Sequence, residues 1–321
     1  MPRRPPDEPT RIDDAPARRT VFVAPARATR PTAGAIADCP FCAGHEHLAP
    51  TEILRSPADP GLPWRARIVP NRYPFVVEGA AVVAGPIRPA RGVHDVIVES
   101  PRHHRSVLEV EPAAWEASWD LARRRLAGLA ARRDLAWATV YKNSGPGAGA
   151  SLEHVHSQLV ALDVVPDAVR TTARGVDTAA ERLAAARREG RVVAVRGGLA
   201  AFVPPAPWQP FETWIVPRGA PAWFHEAEAG LVRDLARLLR AVVAGLAQAA
   251  PGADYNWWLL QPPWRRRAAR PVAGGWWRIE ILPRVTPLAG FELGTGCHVC
   301  VVPPRAAARL LRRALPSARS S

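Results

Sequence analysis

Two histidines, His154 and His156, stand at alternate positions with Gln158 next in the same alternation, directly after a loop that carries Gly145, Gly147 and Gly149. Glycine lets a backbone come close to a phosphate and present N–H groups to it. On an extended strand alternate side chains share a face, so this spacing sets both imidazoles and the carboxamide together beside the loop. A neutral imidazole in that position is a nucleophile suited to phosphorus. Taken alone, the same His-x-His pair is also two ligands of one metal, or two surface histidines.

The rest of the chain supplies a ligand set that separates these readings. Cys39-Pro-Phe-Cys42 is a tight turn bearing two thiols, and Ser100-Pro-Arg-His103 brings an imidazole directly after an apolar, β-branched run. Adding His154 completes a Cys₂His₂ set, the closed coordination of a structural zinc. A metal filled by those four leaves His156 unligated on the same face. Two alternatives stay open at this level: His104 in place of His103, and a Cys₄ cluster joining Cys39 and Cys42 to the second Cys-x-x-Cys pair, Cys297 and Cys300. The latter pair sits in an apolar run that reads more simply as a strand with small buried residues.

These groups need elements to hold them. Strands are predicted at Arg19 to Ala24, Ala66 to Pro70, Asp95 to Glu99, Trp137 to Lys142 and His154 to Ala161, with an apolar-periodic helix from about Val110 to Arg132. The second half repeats the plan, with strands at Thr213 to Pro217, Asn256 to Gln261 and Trp277 to Leu282 and a long amphipathic helix from Glu226 to Ala249. This order suggests a duplicated strand-helix-strand-strand unit. The charged, alanine-rich stretch around Arg170 to Gly190 reads as a linking helix, and residues 1–18, rich in Pro, Arg and Asp, as a flexible arm. The domain boundaries that follow are 19–168, 169–190 for the link, and 191–321.

With 321 residues and 48% hydrophobic residues there is material for two cores or one duplicated core. No run approaches the roughly 18 apolar residues of a membrane span, and the N-terminus lacks the apolar block of a signal peptide. The expected compartment is the cytoplasm, where paired cysteines point to metal or redox chemistry before disulfides. The formal charge of +14 suggests nucleic acid, yet the basic residues are arginines except for Lys142 and are scattered without interleaved aromatics. No nucleic-acid or membrane partner is expected.

So assembled, the chain resembles the galactose-1-phosphate uridylyltransferase family of the histidine-triad superfamily, from about Arg19 onwards. The resemblance implies an α+β fold of two tandem histidine-triad-like domains, each an antiparallel sheet with a packed helix. It implies zinc on Cys39, Cys42, His103 and His154, one per chain. His156 falls at the family's covalent nucleophile and Gln158 at the glutamine that holds the phosphoryl oxygens. Arg27 and Arg30 match arginines near the substrate phosphates, Asn143, Gly149 and Ser151 match the nucleotide pocket, and Asn71 matches a nucleoside contact. Phe291, in Ala289-Gly-Phe-Glu-Leu-Gly-Thr-Gly296, falls near the hexose phosphate, and Pro210 to Pro217 is similar to another second-half signature.

The implied enzyme is a UDP-glucose:hexose-1-phosphate uridylyltransferase of galactose metabolism, a homodimer like its relatives. Its partners would be a UDP-sugar and a sugar 1-phosphate, and its intermediate a uridylyl-histidine. Departures bear on this expectation. Val155 and Ser157 stand where the family has Pro and Gly, Arg72 follows Asn71 where relatives carry an acidic residue, and Trp276 to Leu282 lacks the histidine of a second metal site. Phosphorolytic or hydrolytic cousins acting on ADP-sugars or dinucleoside polyphosphates share this chemistry. A zinc-stapled basic binding module is the non-enzymatic reading.

Overall fold

The computed structural model describes residues 8–14, 16, 19–29, 39–79, 87–173, 178–219, 221–264 and 277–316. In them β1 (Thr10–Asp14) and β2 (Arg19–Val23) precede β3 (Leu54–Ser56), β4 (Ala66–Pro70), β5 (Ile87–Pro89), β6 (Gly92–Val98), α1 (Pro112–Ala130), β7 (Trp137–Ser144), β8 (His156–Leu162), α2 (Asp167–Ala173) and α3 (Ala179–Arg188). The second half adds β9 (Val192–Arg196), β10 (Leu199–Phe202), β11 (Thr213–Pro217), α4 (Ala229–Ala249), β12 (Tyr255–Leu260), β13 (Arg278–Pro283), α5 (Gly290–Thr295) and α6 (Pro304–Ala314).

Both halves belong to one ten-stranded antiparallel sheet, ordered β3-β4-β6-β8-β7-β12-β13-β11-β10-β9. The order is palindromic in function. From the β7·β12 seam outwards, each half runs seam strand, following strand, strand before the helix, then two outer strands. The seam is a regular ladder with Asn143 opposite Asn256 and Tyr141 opposite Trp258. The duplicated unit thus closes on itself edge to edge, which removes one exposed sheet edge from each half. The fold is α+β.

One face of the sheet is covered by α1 and α4, whose apolar stripes pack on alternate strand residues such as Ile97, Leu159, Val140, Trp257 and Ile279. Aromatics lock this core. Trp119 of α1 stacks on Trp257 at 5.1 Å, and the Trp115 indole N–H donates to the Ala236 carbonyl of α4 at 2.7 Å. Burying an indole of 150–250 Å² is worth about 4–6 kcal/mol in transfer alone. The opposite face of the sheet is left for the site.

Two expectations are corrected. Order begins within the presumed arm, because β1 pairs with both β2 and β5 and buries Arg11, which donates to Asp163 at 2.7 Å and to Asp13 at 3.0 Å. Its charge pattern hides a strand whose second partner strand, β5, and buried ion-pair partner, Asp163, are far away in sequence. The Cys297-His-Val-Cys300 run is neither a strand nor buried: it follows α5 as irregular chain, with Cys297 exposed and Val299 57% accessible. The linking segment is helical over α2 and α3, with residues 174–177 outside the described set. Among the described residues, no helix is long and apolar enough to cross a membrane.

Candidate active site and metal centre

Cys39, Cys42, His103 and His154 converge, with their ligand atoms all within 4.8 Å of one another. Zn–S bonds of about 2.3 Å and Zn–N bonds of about 2.0–2.1 Å at tetrahedral angles put sulfur and nitrogen ligands about 3.6 Å apart. The distances from Cys39 Sγ to His154 Nδ1, Cys42 Sγ to His103 Nδ1 and Cys42 Sγ to His154 Nδ1 are 3.5, 3.6 and 3.6 Å. The donor set therefore fits zinc in spacing as well as in type. His154 Nε2 lies 2.9 Å from the Ser100 carbonyl, so that nitrogen carries the proton and Nδ1 is left as the ligand atom. His104 turns instead to the Ser100 hydroxyl at 3.1 Å. Cys297 and Cys300 take no part in this cluster.

His154 lies just before β8 and His156 is its first residue. The His156 ring is fixed by the chain itself: Nδ1 stands 2.7 Å from the His154 carbonyl oxygen, to which it donates. That bond selects the tautomer whose lone pair is on Nε2. Phe41 of the Cys39–Cys42 turn packs against both imidazoles, at 5.8 Å from His154 and 5.5 Å from His156. The Cys39–Cys42 turn and the His156 ring are thus joined through Phe41.

His156 lines two cavities. The first, about 320 Å³, is walled by Phe41, Leu48, Pro50, Val69, Asn71, Tyr73, Ser151 and Gln158. Its apolar sides and few polar groups suit a flat base and its ribose. The second, about 180 Å³, is bounded by Arg105, Asn143, Gly145, Pro146, Glu153 and His154.

Gln158 is aimed by its neighbours. Its Oε1 accepts from the Tyr141 hydroxyl at 2.9 Å and from Asn71 Nδ2 at 3.4 Å, and lies 2.9 Å from His94 Nε2. That ring nitrogen also stands 3.0 Å from Asn71 Nδ2, while His94 Nδ1 accepts from the Phe75 N–H at 3.4 Å. Donors on one atom identify it as the carbonyl oxygen, which leaves the amide NH₂ of this cavity-lining residue able to donate. His94 and Tyr141 escape sequence reasoning, since a lone His and a lone Tyr inside apolar strands carry no pattern. Only the register Tyr141↔Gln158 and Val96↔Gln158 brings them in. Tyr141→Phe removes one donor to Gln158 Oε1 worth about 1 kcal/mol, so kcat is expected to fall roughly fivefold with KM unchanged. Steady-state kinetics check this; a KM effect alone would contradict it.

The glycine loop works differently from the expectation. The N–H of Gly147 donates to Asp254 Oδ2 at 2.6 Å, while those of Ala148, Gly149 and Ala150 go to loop carbonyls. These groups are committed and do not cradle a phosphate. Glycine is needed because Gly145 adopts φ +87° and a Cβ there would sit 1.7 Å from Asp254 Oδ1. Asp254 just ahead of β12, with Asn256 donating to Asn143 Oδ1 and the Ala148 carbonyl at 2.9 Å each, clamps the first half's loop from the second half.

Of the other expected residues, Asn71 and Ser151 line the larger cavity. Asn143 lines the smaller one and donates to the Gly149 carbonyl at 3.4 Å. Arg27 donates to the carbonyl of Tyr73, a wall residue of the larger cavity, at 2.8 Å and lies over Phe75. Phe291 lines neither cavity and is 56% exposed on α5. Arg30 lies outside the described residues.

No family model matches the chain. The ADP-glucose phosphorylase of Arabidopsis thaliana is 29% identical over 322 residues, spanning 93% of this chain and 91% of that protein. A crystal structure of an ADP-glucose phosphorylase from Arabidopsis thaliana with bound ADP-glucose superposes with a TM-score of 0.76 at 29% identity, covering 95% of this chain and 98% of that one. A uridylyltransferase structure superposes equally well, with a TM-score of 0.76 at 25% identity and the same coverage. The chain is thus similar, over nearly its whole length, to an ADP-glucose phosphorylase and to a uridylyltransferase. The sheet explains why His156, Gln158 and the Cys39–Cys42 turn meet here although nothing local joins Cys39 to His154.

Proposed function

We propose that the protein is a nucleotidyltransferase that moves an adenylyl group from an ADP-sugar to inorganic phosphate through a covalent nucleotidyl-histidine at His156. The observation that carries the reading is the His156 ring itself, tied through Nδ1 to the His154 carbonyl while lining both cavities. The adenylyl preference rests on the similarity to the ADP-glucose phosphorylase of Arabidopsis thaliana.

In the first step His156 Nε2 attacks the α-phosphorus in line, the bond from that phosphorus to the bridging oxygen breaks, and sugar 1-phosphate leaves with the electron pair. Gln158 NH₂ donates to the non-bridging oxygens, and the His154 carbonyl accepts from the Nδ1–H of the nucleotidylated ring. In the second step a phosphate oxygen attacks the same phosphorus, the P–N bond breaks, and ADP forms with His156 restored. Asn71 and Ser151 hold the nucleoside. Zinc bound by Cys39, Cys42, His103 and His154 would supply architecture rather than chemistry.

A second reading is uridylyl transfer from UDP-glucose to galactose 1-phosphate. It is supported by the uridylyltransferase structure with the same TM-score and by the residues that resemble that family. Incubation with ADP-glucose or UDP-glucose, each with phosphate or galactose 1-phosphate, separates the two. ADP from ADP-glucose and phosphate is the expected product; UDP-galactose as the dominant product would replace the first reading by the second. Intact mass without an acceptor should show one added adenylyl group, and no adduct from either nucleotide sugar would end both.

A further inference from the structure

Lys142 is the only lysine among forty-two arginines. In a chain that uses arginine for basic positions everywhere else, its place in the fold calls for a reason. It lies on β7, on the face away from the larger cavity, opposite the buried Trp257 of β12. Its side chain is 2% exposed, and so is that of Glu99, whose Oε2 it meets at 2.6 Å. The second partner of the ammonium is the main-chain carbonyl oxygen of His156, also at 2.6 Å. The other carboxylate oxygen of Glu99 accepts from the Ser157 hydroxyl. A closed chain therefore runs from Ser157 through Glu99 and Lys142 to the carbonyl of the residue before Ser157.

The ladder explains why this is needed. Pairing between β7 and β8 runs from Trp137↔Leu162 to Tyr141↔Gln158 and stops there, short of His156. Beyond that point β7 departs into the glycine loop, and the gap between the strands is the smaller cavity, whose walls include Lys142, Asn143, Gly145 and His156. A splayed strand end loses its donors, and an unmet buried carbonyl costs on the order of 1–3 kcal/mol. The flexible four-carbon stem of lysine delivers a compact three-donor head to two acceptors in a closed space. The planar guanidinium used elsewhere in this chain is broader and presents its donors in a fixed fork. Burial lowers the pKa of the ammonium, and the charge and hydrogen bond of Glu99 oppose that.

We propose that Lys142 is the positioning residue of the nucleophile: it replaces the ladder donor that β7 withdraws and so holds His156 rigid across the opened gap. Its ring is fixed at one end by the His154 carbonyl and its backbone at the other by this ammonium. The role rests on His156 being the nucleophile, and the Lys142 ammonium is engaged by Glu99 and the His156 carbonyl. Misplacement of a reacting group by about 1 Å costs on the order of 10²-fold in rate, whereas neither Lys142 nor Glu99 lines the larger cavity.

The test uses Lys142→Met, Lys142→Arg and the double variant Lys142→Met/Glu99→Gln, which removes both buried charges and avoids stranding the carboxylate. Formation of the nucleotidyl-enzyme from ADP-glucose without acceptor is followed by rapid quench and intact mass, alongside ADP-glucose binding, zinc content and thermal midpoint. The double variant should keep zinc and bind ADP-glucose within about threefold of wild type, yet form the adduct about 10²-fold more slowly, and Lys142→Arg should not restore the rate. A double variant that reacts within threefold of wild type overturns the proposal. So does one that loses zinc, binding and soluble protein together, which would make the network a fold element only. Wild-type protein that forms no adduct at all removes the nucleophile instead, and this role falls with it.

Discussion

His156→Gly is expected to abolish the nucleotidyl adduct and slow turnover by roughly 10⁴-fold or more, the scale seen when a covalent nucleophile is removed. The reason is specific to the geometry. The larger cavity is walled by Leu48, Val69, Asn71 and Tyr73 as well as by Phe41, the residue that packs on the His156 ring. Zinc content should also be retained, because the ligand nitrogen at this turn is His154 Nδ1. Binding of ADP-glucose should therefore change by less than about tenfold, while the chemical step is lost. Calorimetry for binding and intact mass for the adduct separate the two quantities. An adduct of normal mass on the glycine variant would mean that another residue carries the nucleotide, and the mechanism above would be wrong at its first step.

Gln158 and His156 were legible because their signal is local: alternation beside a glycine loop places them on one face whatever the rest of the chain does. The same holds for β4 and β11, whose predicted bounds of Ala66 to Pro70 and Thr213 to Pro217 coincide with the strands, and for α1 and α4, whose apolar stripes are long. What the sequence hid depends on partners distant along the chain. β1 reads as a charged arm until Asp163 is brought to Arg11. The glycine loop reads as a phosphate cradle until Asp254, more than a hundred residues on, is found holding the Gly147 N–H. His94, Tyr141 and Glu99 are unremarkable letters in apolar strands, and only sheet register turns them into the supports of Gln158 and His156.

Register also changes the meaning of a local signal. Sequence alternation alone would set His154 and His156 as equivalent neighbours on one strand. In the fold β8 begins at His156, and His154 instead belongs to the turn where its ring meets Cys39 and Cys42. The main chain of His154 then serves the ring of His156. One residue thus links metal centre to nucleophile through its side chain on one side and its carbonyl on the other, which makes the metal and the chemistry separable in role but not in position.

Loss of the metal should accordingly cost both stability and rate. Cys39→Ser is expected to lose the zinc, to lower the thermal midpoint by on the order of 5–15 °C, and to reduce adduct formation because the His154 carbonyl no longer holds the His156 ring. A ligand that binds only the folded state at a thousand times its Kd contributes about 4 kcal/mol, and in a chain of this size each kcal/mol moves the midpoint by a few degrees. The pH dependence follows from the ligands. In the metal-free protein burial and the neighbouring Cys39 sulfur push the Cys42 thiol up to about 11, so at neutral pH it carries a proton that zinc must displace. Apparent zinc affinity should rise about tenfold per pH unit for each thiol proton released. Burial pulls His154 from 6.5 down to about 3. The unfolded chain therefore binds the extra proton between those values, and the contribution of His154 to stability is intact above 6.5 and lost progressively as pH falls through that window. Zinc analysis, thermal melts and proton release on zinc addition measure all three. A Cys39→Ser protein that keeps stoichiometric zinc, or that loses zinc while its melting point and adduct rate stay at wild-type values, would break the link between this cluster and His156.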